Sequence, residues 1–394
     1  MNVIVIGGGV AGAATAIALR RIGVQVTVYE AYAEPAGSVG SFLSLATNGL
    51  RVLRSLGVLE QVQRAGVDMP TQRMWSGSAK LLGEVPRGRS ASDPLHSVTL
   101  MRGTLVEILR ANALAAGADI VVGERLVDAA PTETGVRAIF ASGHTAHAAL
   151  LVGADGIRST TRTLLDPNAP VPEYAGLYSI SGVADGLDIE PGVFNMTYAR
   201  NGAFFHLPAP DGRIWWAAQV ATPIPPDPTA GTDRERLARL AHLFRPERLP
   251  SAILGAATEL HHPTLMHRLA PIPIRHNDRM ALLGDAAHPV GAGQGASMAL
   301  EDAVVLARAL ADEPSVPAAL ATYDAARAAR IAKMLKAASA NRDAKTAGPL
   351  ARRIRDLMMP WGSRHFHARA TDWLYTHDCG ELPSSPNQPA HQGS

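Results

Sequence analysis

Three acidic residues, Glu30, Asp155 and Asp285, lie beside glycine-rich stretches of this 394-residue chain. Each stands at or just after the end of a run that is typical of a buried strand. Glycine leaves the backbone N–H groups open to a ligand, and a carboxylate accepts hydrogen bonds from hydroxyl groups. Bare backbone beside an acid therefore predicts a site for a ligand that carries phosphate and sugar groups.

The first stretch contains the pattern GxGxxG, between an apolar strand at residues 3–6 and a helical run at 13–22. In this pattern one glycine makes a tight turn, one admits a pyrophosphate, and one lets the helix pack against the strand. The N-terminus of the helix then favours the negative charge of the phosphates. The predicted dinucleotide-binding residues are Gly7, Gly9, Val10, Ala11 and Gly12.

Glu30 ends the second strand, 18 residues after Gly12, at the position of an acid that binds a ribose 2′-hydroxyl. A carboxylate there would repel a 2′-phosphate, so the spacing predicts FAD or NAD rather than NADP as the bound dinucleotide. A glycine-rich turn followed by a solvated glutamate is the alternative interpretation.

The elements that position these residues begin with a strand, a turn, a helix and a second strand within about 30 residues, which predicts a βαβ unit and a parallel sheet. Residues 118–153 have the pattern of short strands, and residues 171–275 that of an antiparallel sheet. Helical spacing recurs in four segments, at 48–64, 102–116, 297–311 and between about 317 and 358.

Length and composition exclude several classes of protein. The chain exceeds the usual size of one domain, and its 47% hydrophobic and 18% charged residues are typical of a soluble globular protein. A net charge of +2 without a basic block among aromatics predicts no nucleic-acid partner. The single cysteine, Cys379, leaves no internal disulfide and no CxxC zinc set, so no metal is expected. No apolar run is long enough for a membrane span, so a cytoplasmic location is expected.

Two further motifs point to a family. Asp155, Gly156, Ser159 and Arg162 match the pattern DGxxSxxR in full, and Asp285 belongs to the sequence GDAAH. Together with GxGxxG, and in this order along the chain, they resemble the three fingerprints of the class A flavoprotein monooxygenases, the p-hydroxybenzoate hydroxylase group. The resemblance does not cover the substrate domain with any specificity.

The resemblance implies an α/β fold: a Rossmann-like FAD-binding domain with an inserted antiparallel-sheet substrate domain and C-terminal helices. The expected division of the chain is an FAD-binding domain of 1–70, 98–170 and 276–335, a substrate domain of 71–97 and 171–275, a helical segment of 336–380 and a disordered tail of 381–394.

The resemblance also assigns roles around the flavin. Asp285 would bind a ribityl hydroxyl of FAD, and Arg102 matches an arginine that reaches the FAD. The backbone N–H groups near Gly295, Ala296 and Ser297 would face the pyrimidine edge of the flavin. A helix N-terminus at this edge would stabilise the negative charge of the reduced form.

The remaining motif residues have alternative interpretations. Asp155 would lie near the pyrophosphate, with a role around NAD(P)H, or it is simply an acid at a helix start. Arg162 is alternatively a surface arginine, and His288 is expected to be structural rather than a base.

The chain departs from its relatives at three places near the flavin. The loop after Pro289 is about two residues shorter, Ser297 stands where asparagine is frequent, and Phe42 and Thr47 replace a glycine and a proline. Because of these changes the sequence does not predict the exact contacts of the flavin ring, but it still predicts FAD binding.

The substrate pocket is expected between the flavin ring and the sheet of residues 171–275. Adjacent tryptophans on a strand face opposite ways, so only one of Trp215 and Trp216 can line it, and Trp216 is selected. His206 is the candidate catalytic base for a phenol, with a hydrogen-bonded sheet histidine as the alternative. The predicted pocket residues are Phe42, Met196, Phe204 and Trp216, each of which could instead belong to the core.

The implied activity is NAD(P)H- and O2-dependent hydroxylation of an aromatic or polyketide-like small molecule through a flavin hydroperoxide. FAD is the expected cofactor, and NADPH or NADH the transient reductant, in a monomer or homodimer. A flavin oxidase, epoxidase or reductase is the alternative on the same scaffold, and a non-catalytic dinucleotide-binding protein the alternative outside enzymes.

Overall fold

The computed structural model describes residues 1–34, 41–290 and 293–383. Three of the predictions fall partly outside this range. They concern residues 39–40 of the segment 39–48 that contains Phe42 and Thr47, the shortened loop at 291–292, and the tail from 384 onward.

The described residues form strands and helices that alternate along the whole chain. The strands are β1 (Asn2–Ile6), β2 (Gln25–Glu30), β3 (Phe42–Leu45), β4 (Val67–Asp68), β5 (Thr71–Ser76), β6 (Leu81–Pro86), β7 (Val98–Met101), β8 (Asp119–Val122), β9 (Leu126–Pro131), β10 (Val136–Phe140), β11 (Thr145–Ala148), β12 (Leu150–Gly153), β13 (Glu173–Ala184), β14 (Val193–Ala199), β15 (Gly202–Pro208), β16 (Ile214–Ala221), β17 (Ala257–Leu260), β18 (Thr264–Arg268) and β19 (Met280–Leu282). The helices are α1 (Val10–Arg21), α2 (Thr47–Ser55), α3 (Leu59–Ala65), α4 (Arg102–Ala115), α5 (Thr160–Leu165), α6 (Asp233–Leu243), α7 (Arg248–Gly255), α8 (Gly295–Asp312), α9 (Val316–Lys345), α10 (Pro349–His365) and α11 (His367–Tyr375), with a 3-10 turn at Gly284–Ala286.

The first sheet is parallel, in the order β19-β12-β1-β2-β8. Its central strands are buried on both faces, which explains their nearly continuous apolar sequences. Val3 and Val5 face the helices α1, α4 and α8, while Ile4 and Ile6 face the small sheet β11-β10-β9. The predicted βαβ unit is therefore confirmed as β1-α1-β2.

The second large sheet has the order β17-β13-β16-β15-β14-β5-β6, with β18 also paired to β13. All its neighbouring strands are antiparallel except β14 and β5, which are parallel. The strands of residues 171–275 pair antiparallel with one another, as expected, and the one parallel pair joins β14 to β5. It arises because β5 comes from a distant part of the chain rather than from a hairpin with β14.

The region 48–64, where the sequence has helical spacing, is helical as predicted. It forms two helices, α2 and α3, because Gly57 between them adopts a φ of +69°, a left-handed conformation that favours glycine. Both helices lie beside the three-stranded sheet β3-β7-β4.

Buried charged side chains join α8 to α9. Glu301 and Asp302 of α8 and Arg327 of α9 are almost inaccessible to solvent, and Arg327 forms an ion pair with each of the two carboxylates. The helix α10 packs against β6 of the second sheet. Among the described helices, none combines the length and the apolar character that crossing a bilayer requires.

Candidate active site

A cavity of about 510 Å³ lies between the carboxyl ends of the first sheet and one face of the second. The first sheet and the segments that follow its strands contribute small residues and two charges to the wall: Gly9, Val10, Ala11, Ala154, Gly156, Arg102, Asp285, Gly295 and Ala296. The second sheet and the segments beside it contribute larger side chains: Phe42, Gln72, Arg87, Phe194, Met196, Phe205, Gln219, Met266 and Lys345. Ligands of open parallel sheets bind at this edge of the strands.

The glycines of the first motif have separate structural reasons. Gly7 has a φ of +96°, and a Cβ atom added to Gly12 would lie 1.8 Å from the carbonyl oxygen of Gly7. A Cβ atom on Gly9 would meet no other atom within 4 Å, because Gly9 faces the cavity. No side chain caps α1, so the N–H groups of its first turn are free to bind an anion.

Glu30 is held in place by the same loop. One carboxylate oxygen accepts hydrogen bonds from the Gly8 N–H (2.8 Å) and from Arg110 Nη2 (3.1 Å), and the other accepts one from the Tyr32 N–H (3.0 Å). A carboxylate has about four acceptor positions, so one remains for a ligand hydroxyl. The solvated glutamate of the alternative interpretation is not what the structure shows.

Arg110 was not predicted from the sequence. Its Nε donates to the carbonyl oxygen of Gly8 (2.6 Å), so its guanidinium joins the glycine loop to Glu30. Arg110 lies on the buried face of α4 beside Leu109 and Val106. A charged residue on the apolar face of a helix was the signal that could have found it.

Asp285 follows β19 in the 3-10 turn and is accessible from the cavity, as is Arg102 at the start of α4. Desolvation inside the cavity raises the pKa of Asp285, and the nearby His288 and Arg102 act in the opposite direction. A carboxylate in this position has its acceptor oxygens directed at whatever fills the cavity, with no protein donor in the described part of the chain bonded to it.

The helix α8 begins at Gly295, two residues before the predicted start of a helix. No side chain caps it, and both Gly295 and Ala296 line the cavity. The side chain of Ser297 faces away, since its Oγ lies against Gly49 of α2, where a Cβ atom would be 2.5 Å distant. Ser297 can therefore act toward the cavity only through its backbone N–H.

The DGxxSxxR motif forms a compact set of hydrogen bonds outside the cavity wall. Asp155 accepts from Ser159 Oγ (2.5 Å), from the Thr161 N–H (2.9 Å) and from Thr161 Oγ1 (3.0 Å). Both its oxygens thus support the start of α5, which favours the helix-start interpretation. Its neighbour Gly156 does line the cavity.

Arg162 is buried, so its alternative as a surface residue is wrong. It donates to the carbonyl oxygens of Ile157 (2.7 Å) and Ala286 (3.0 Å). This arginine consequently links the DGxxSxxR loop to the turn that carries Asp285.

His288 is structural, as expected. Its Nε2 lies 2.6 Å from an Asp302 oxygen that also accepts from the Gly284 N–H (2.8 Å), while Arg327 Nε binds the other oxygen (2.7 Å). Burial alone would raise the pKa of Asp302, but the charges of His288 and Arg327 outweigh it and hold the pKa below its usual value. These bonds fix the turn beside Asp285 to α8.

The second sheet decides which of the predicted pocket residues reach the cavity. Phe42 and Met196 line it, and Phe42 stacks on Trp215, with ring centroids 6.2 Å apart. Trp215, not the selected Trp216, is therefore the tryptophan on the cavity side of β16. Phe194 and Phe205, which the sequence did not single out, complete this aromatic wall.

Phe204, His206 and Trp216 lie on the opposite face of the sheet, and their prediction as pocket residues or as a base is wrong. Phe204 and Trp216 stack on each other (5.9 Å) in a core formed with α6 and α7. His206 is 1% exposed, and burial lowers its pKa to about 4. Successive residues of a strand alternate between faces, and the even-numbered residues of β15 point away from the cavity.

Glu301, His377 and Cys379 also come together, with one potential ligand atom of each within 4.8 Å of the others. The carboxylate of Glu301 is already bound by Arg327 Nη1 (2.7 Å), by Arg330 (2.6 Å) and by Asn48 Nδ2 (2.7 Å). Two guanidinium groups oppose a further cation there, so this cluster carries no argument for a metal site.

The residues of the cavity fit FAD. The open space at Gly9 and the uncapped start of α1 suit a pyrophosphate, Glu30 keeps a free acceptor for a ribose, and Asp285 suits a ribityl hydroxyl. The uncapped start of α8 suits the electron-rich edge of the ring. These assignments to individual residues stay predictions.

Comparison with known proteins shows the same cofactor class. Residues 1–338 match the family described as FAD binding domain. The chain is 30% identical over 341 residues to the aurachin C monooxygenase/isomerase of Stigmatella aurantiaca, covering 84% of this chain and 86% of that protein. It is 28% identical over 347 residues to 3-hydroxybenzoate 6-hydroxylase 1 of Aquipseudomonas alcaligenes, covering 84% and 86%.

The fold is shared with solved structures. The Klebsiella pneumoniae HpxO structure in complex with FAD and uric acid has a TM-score of 0.83 at 23% identity, and the match covers 95% of this chain and 97% of that one. The predicted fold class, the FAD cofactor and the class of enzyme are confirmed by these matches. The chain belongs to the FAD binding domain family, as an FAD-dependent monooxygenase of the class A type.

Proposed function

We propose that this protein hydroxylates an aromatic small molecule, with NADH or NADPH as reductant and O2 as the oxygen donor. The observation that carries the proposal is the position of the cavity. It joins the polar end, with Asp285 and the start of α8, to an aromatic wall of Phe42, Phe194 and Phe205. A relative named as a 3-hydroxybenzoate 6-hydroxylase supports an aromatic substrate.

Bound FAD would supply the redox chemistry, in which NAD(P)H is oxidised and one atom of O2 enters the substrate while the other leaves as water. The protein's own residues bind and orient. Gly9, Val10 and Ala11 would hold the pyrophosphate through backbone N–H groups, and Asp285 would hold the ribityl chain. The N–H groups at the start of α8 would favour negative charge on the ring.

The aromatic wall would exclude water and position the substrate ring. Phe42 would contact the substrate ring, because it lines the cavity and its position is fixed by its stack on Trp215. No protein base is assigned: His206 is remote from the cavity. A substrate that is already electron-rich needs only to be held in place.

Oxidation of NADH and NADPH by the FAD-loaded protein tests the proposal, with a panel of phenols, hydroxybenzoates and fused aromatic compounds in 18O2. We expect at least one compound to stimulate both NAD(P)H oxidation and O2 uptake and to gain one 18O atom. Catalase added in a parallel reaction measures how much O2 is released as peroxide.

Two results would contradict the proposal. NAD(P)H oxidation without O2 uptake would indicate a reductase, and full recovery of the O2 as peroxide with every compound would indicate an oxidase. The fold with its DGxxSxxR and GDAAH motifs would then support another flavin reaction. The predicted cytoplasmic location and the monomeric or homodimeric state stay predictions.

A further inference from the structure

Three cations line the cavity: Arg102, whose charge acts on Asp285, and Arg87 and Lys345, which have no carboxylate partner among the described residues. Arg87 follows β6, and Lys345 is the last residue of α9, so they come from distant parts of the chain. Neither forms an ion pair with any residue that the structure describes. The internal segments outside that range, 35–40 and 291–292, contain no acidic residue in their sequences.

Arg87 uses little of its capacity to donate hydrogen bonds. Its Nη2 donates to Ser44 Oγ (2.9 Å), and its Nε–H is buried with no partner among the described residues. The guanidinium carbon lies 3.3 Å from the centroid of the Phe194 ring. Burial lowers the pKa of Arg87 to about 9, which means that the buried surroundings disfavour the charged form of the guanidinium.

Lys345 is placed in the same way. Its Nζ lies 5.4 Å from the centroid of the Phe205 ring, and burial lowers the pKa of its ammonium to about 8. A cation in the last turn of α9 is favoured by the helix dipole, but the dipole does not require the side chain to enter the cavity.

The two cations occupy one end of the cavity. The rings of Phe194 and Phe205, which they cover, have centroids only 5.9 Å apart. The amide oxygen of Gln219, on the same wall, is buried without a partner among the described residues. Polar groups in a cavity that lack a protein partner are expected where a bound ligand supplies the hydrogen bond.

Among the residues that the structure describes, no anion compensates the charge of Arg87. The ionisable group whose charge acts on it is the phenol of Tyr375, and burial raises the pKa of that phenol above its usual value, so it is neutral near pH 7. The contact with Phe194 offsets only part of the cost of desolvating a guanidinium. An anion brought by the ligand would supply the rest.

We propose that the substrate is an aromatic compound with an anionic oxygen group, a carboxylate or an ionised phenol or enol, which binds between Arg87 and Lys345. Its ring would lie along Phe194 and Phe205, on the wall that faces Asp285 and the start of α8. The inference rests on the proposed function for the presence of a substrate ring. It adds the charge of the substrate and the two residues that select it.

The test measures binding to the FAD-loaded protein without reductant, from changes in the flavin absorbance spectrum. The probes are pairs of similar shape, all measured at pH 7, where both cations keep their charge. The acid pairs are benzoate and benzamide, 4-hydroxybenzoate and 4-hydroxybenzamide, and 2-naphthoate and 2-naphthamide. The ionised-phenol arm compares pentafluorophenol, which is ionised at pH 7, with phenol, which is neutral. We expect an acid or the ionised phenol to bind about 10- to 100-fold more tightly than its neutral counterpart.

The variants Arg87→Gln and Lys345→Gln should each remove most of that preference while neutral probes bind within about twofold of wild type. Lys345→Arg keeps the charge and should keep the preference, and Lys80→Gln, an exposed lysine between β5 and β6, is the matched control. FAD content, measured for every variant, shows that the fold is retained.

Three results would overturn the inference: neutral probes that bind as tightly as acids, variants that weaken both kinds of probe equally, or no acid or ionised phenol binding at millimolar concentration. Because binding is measured without turnover, these outcomes are separate from a failure of the hydroxylation reaction. Tight binding of acids with no oxygen transfer would overturn the proposed function alone.

Discussion

At the scale of single residues, the direction of a side chain decides whether a chemically able group has a role. His206 has the right chemistry for a base, but it lies on the face of β15 that packs toward α6 and α7. Arg87 and Lys345 have no special motif around them, yet they face the cavity. Charge and position must therefore be considered together.

Replacing His206 by leucine should change stability but not catalysis. The folded pKa of about 4 lies below the usual 6.5, so the unfolded chain binds the proton first as the pH falls. Wild type should lose up to about 3 kcal/mol of unfolding free energy between pH 6.5 and 4 from this residue, and His206→Leu should lack that loss. Urea unfolding at several pH values measures it, with the exposed His262→Leu as control.

Turnover at pH 8 provides the second measurement on the same variant. We expect kcat within about twofold of wild type, because a buried change on the far face of the sheet is distant from the reacting groups. A fall of more than tenfold with normal FAD content would restore His206 as the base.

At the scale of elements, the start of α1 combines two demands on glycine that the sequence pattern does not separate. Gly12 is required by packing, since a Cβ atom would collide with the carbonyl of Gly7. Gly9 is required only if a ligand approaches, because its surroundings are open. The two glycines therefore distinguish a structural from a binding requirement.

The variants Gly9→Ala and Gly12→Ala should separate these demands. Gly9→Ala should leave the stability of the FAD-free protein within about 0.5 kcal/mol of wild type, because the φ of −77° at Gly9 suits alanine. Its affinity for FAD should fall about tenfold or more, as a methyl group enters the space of the pyrophosphate. Gly12→Ala should lower both quantities.

Thermal unfolding of the FAD-free proteins and titration with FAD, followed by flavin fluorescence quenching, give the two readouts. If Gly9→Ala binds FAD as tightly as wild type, the pyrophosphate does not pass over this loop.

At the scale of the whole molecule, a buried ion-pair network joins the cofactor end to the C-terminal helices. Arg327 binds Glu301 and Asp302, and Arg330 binds Glu301 together with the carbonyl oxygens of Trp373 (3.2 Å) and Leu374 (3.3 Å). Asp302 in turn holds the turn that carries Asp285. The position of α11 and the shape of the site are thereby coupled.

Replacing Arg327 by methionine should destabilise the protein by about 3–5 kcal/mol, because two buried carboxylates would lose the partner that they share. Chemical unfolding measures this, with Arg64→Met, which breaks an exposed pair with Glu60, as the control expected to cost under about 1 kcal/mol. A loss as small as that of the control would show that the network does not hold the fold together.

The pH dependence of the same network has a definite sign. The folded pKa values of Glu301 and Asp302 lie below their usual values, despite burial, because of the arginines and His288 around them. Their contribution to stability is present above the unfolded carboxyl pKa of about 4 and is lost as the pH falls through the folded values. The stability that this network contributes should therefore be lost below about pH 4 in wild type, and that loss should be smaller in Arg327→Met.

The amino-acid sequence by itself determined the βαβ unit, the three motifs and the binding of FAD. The requirement at Gly7, Gly9 and Gly12 is local: a turn, a close approach and a helix contact lie within six residues, so spacing alone reveals them. The acid at Glu30 is one strand away and is found by the same reasoning.

Only the tertiary structure decided which face of the second sheet meets the cavity and which charges are left without partners. Alternation along a strand defines two faces but not which one is inward, so Trp215 and Trp216 were indistinguishable in sequence. Arg87 and Lys345 are distant in sequence, and only the folded chain brings both to the wall of one cavity. The role of a charged side chain depends on its neighbours in space, and those neighbours are far away in the chain.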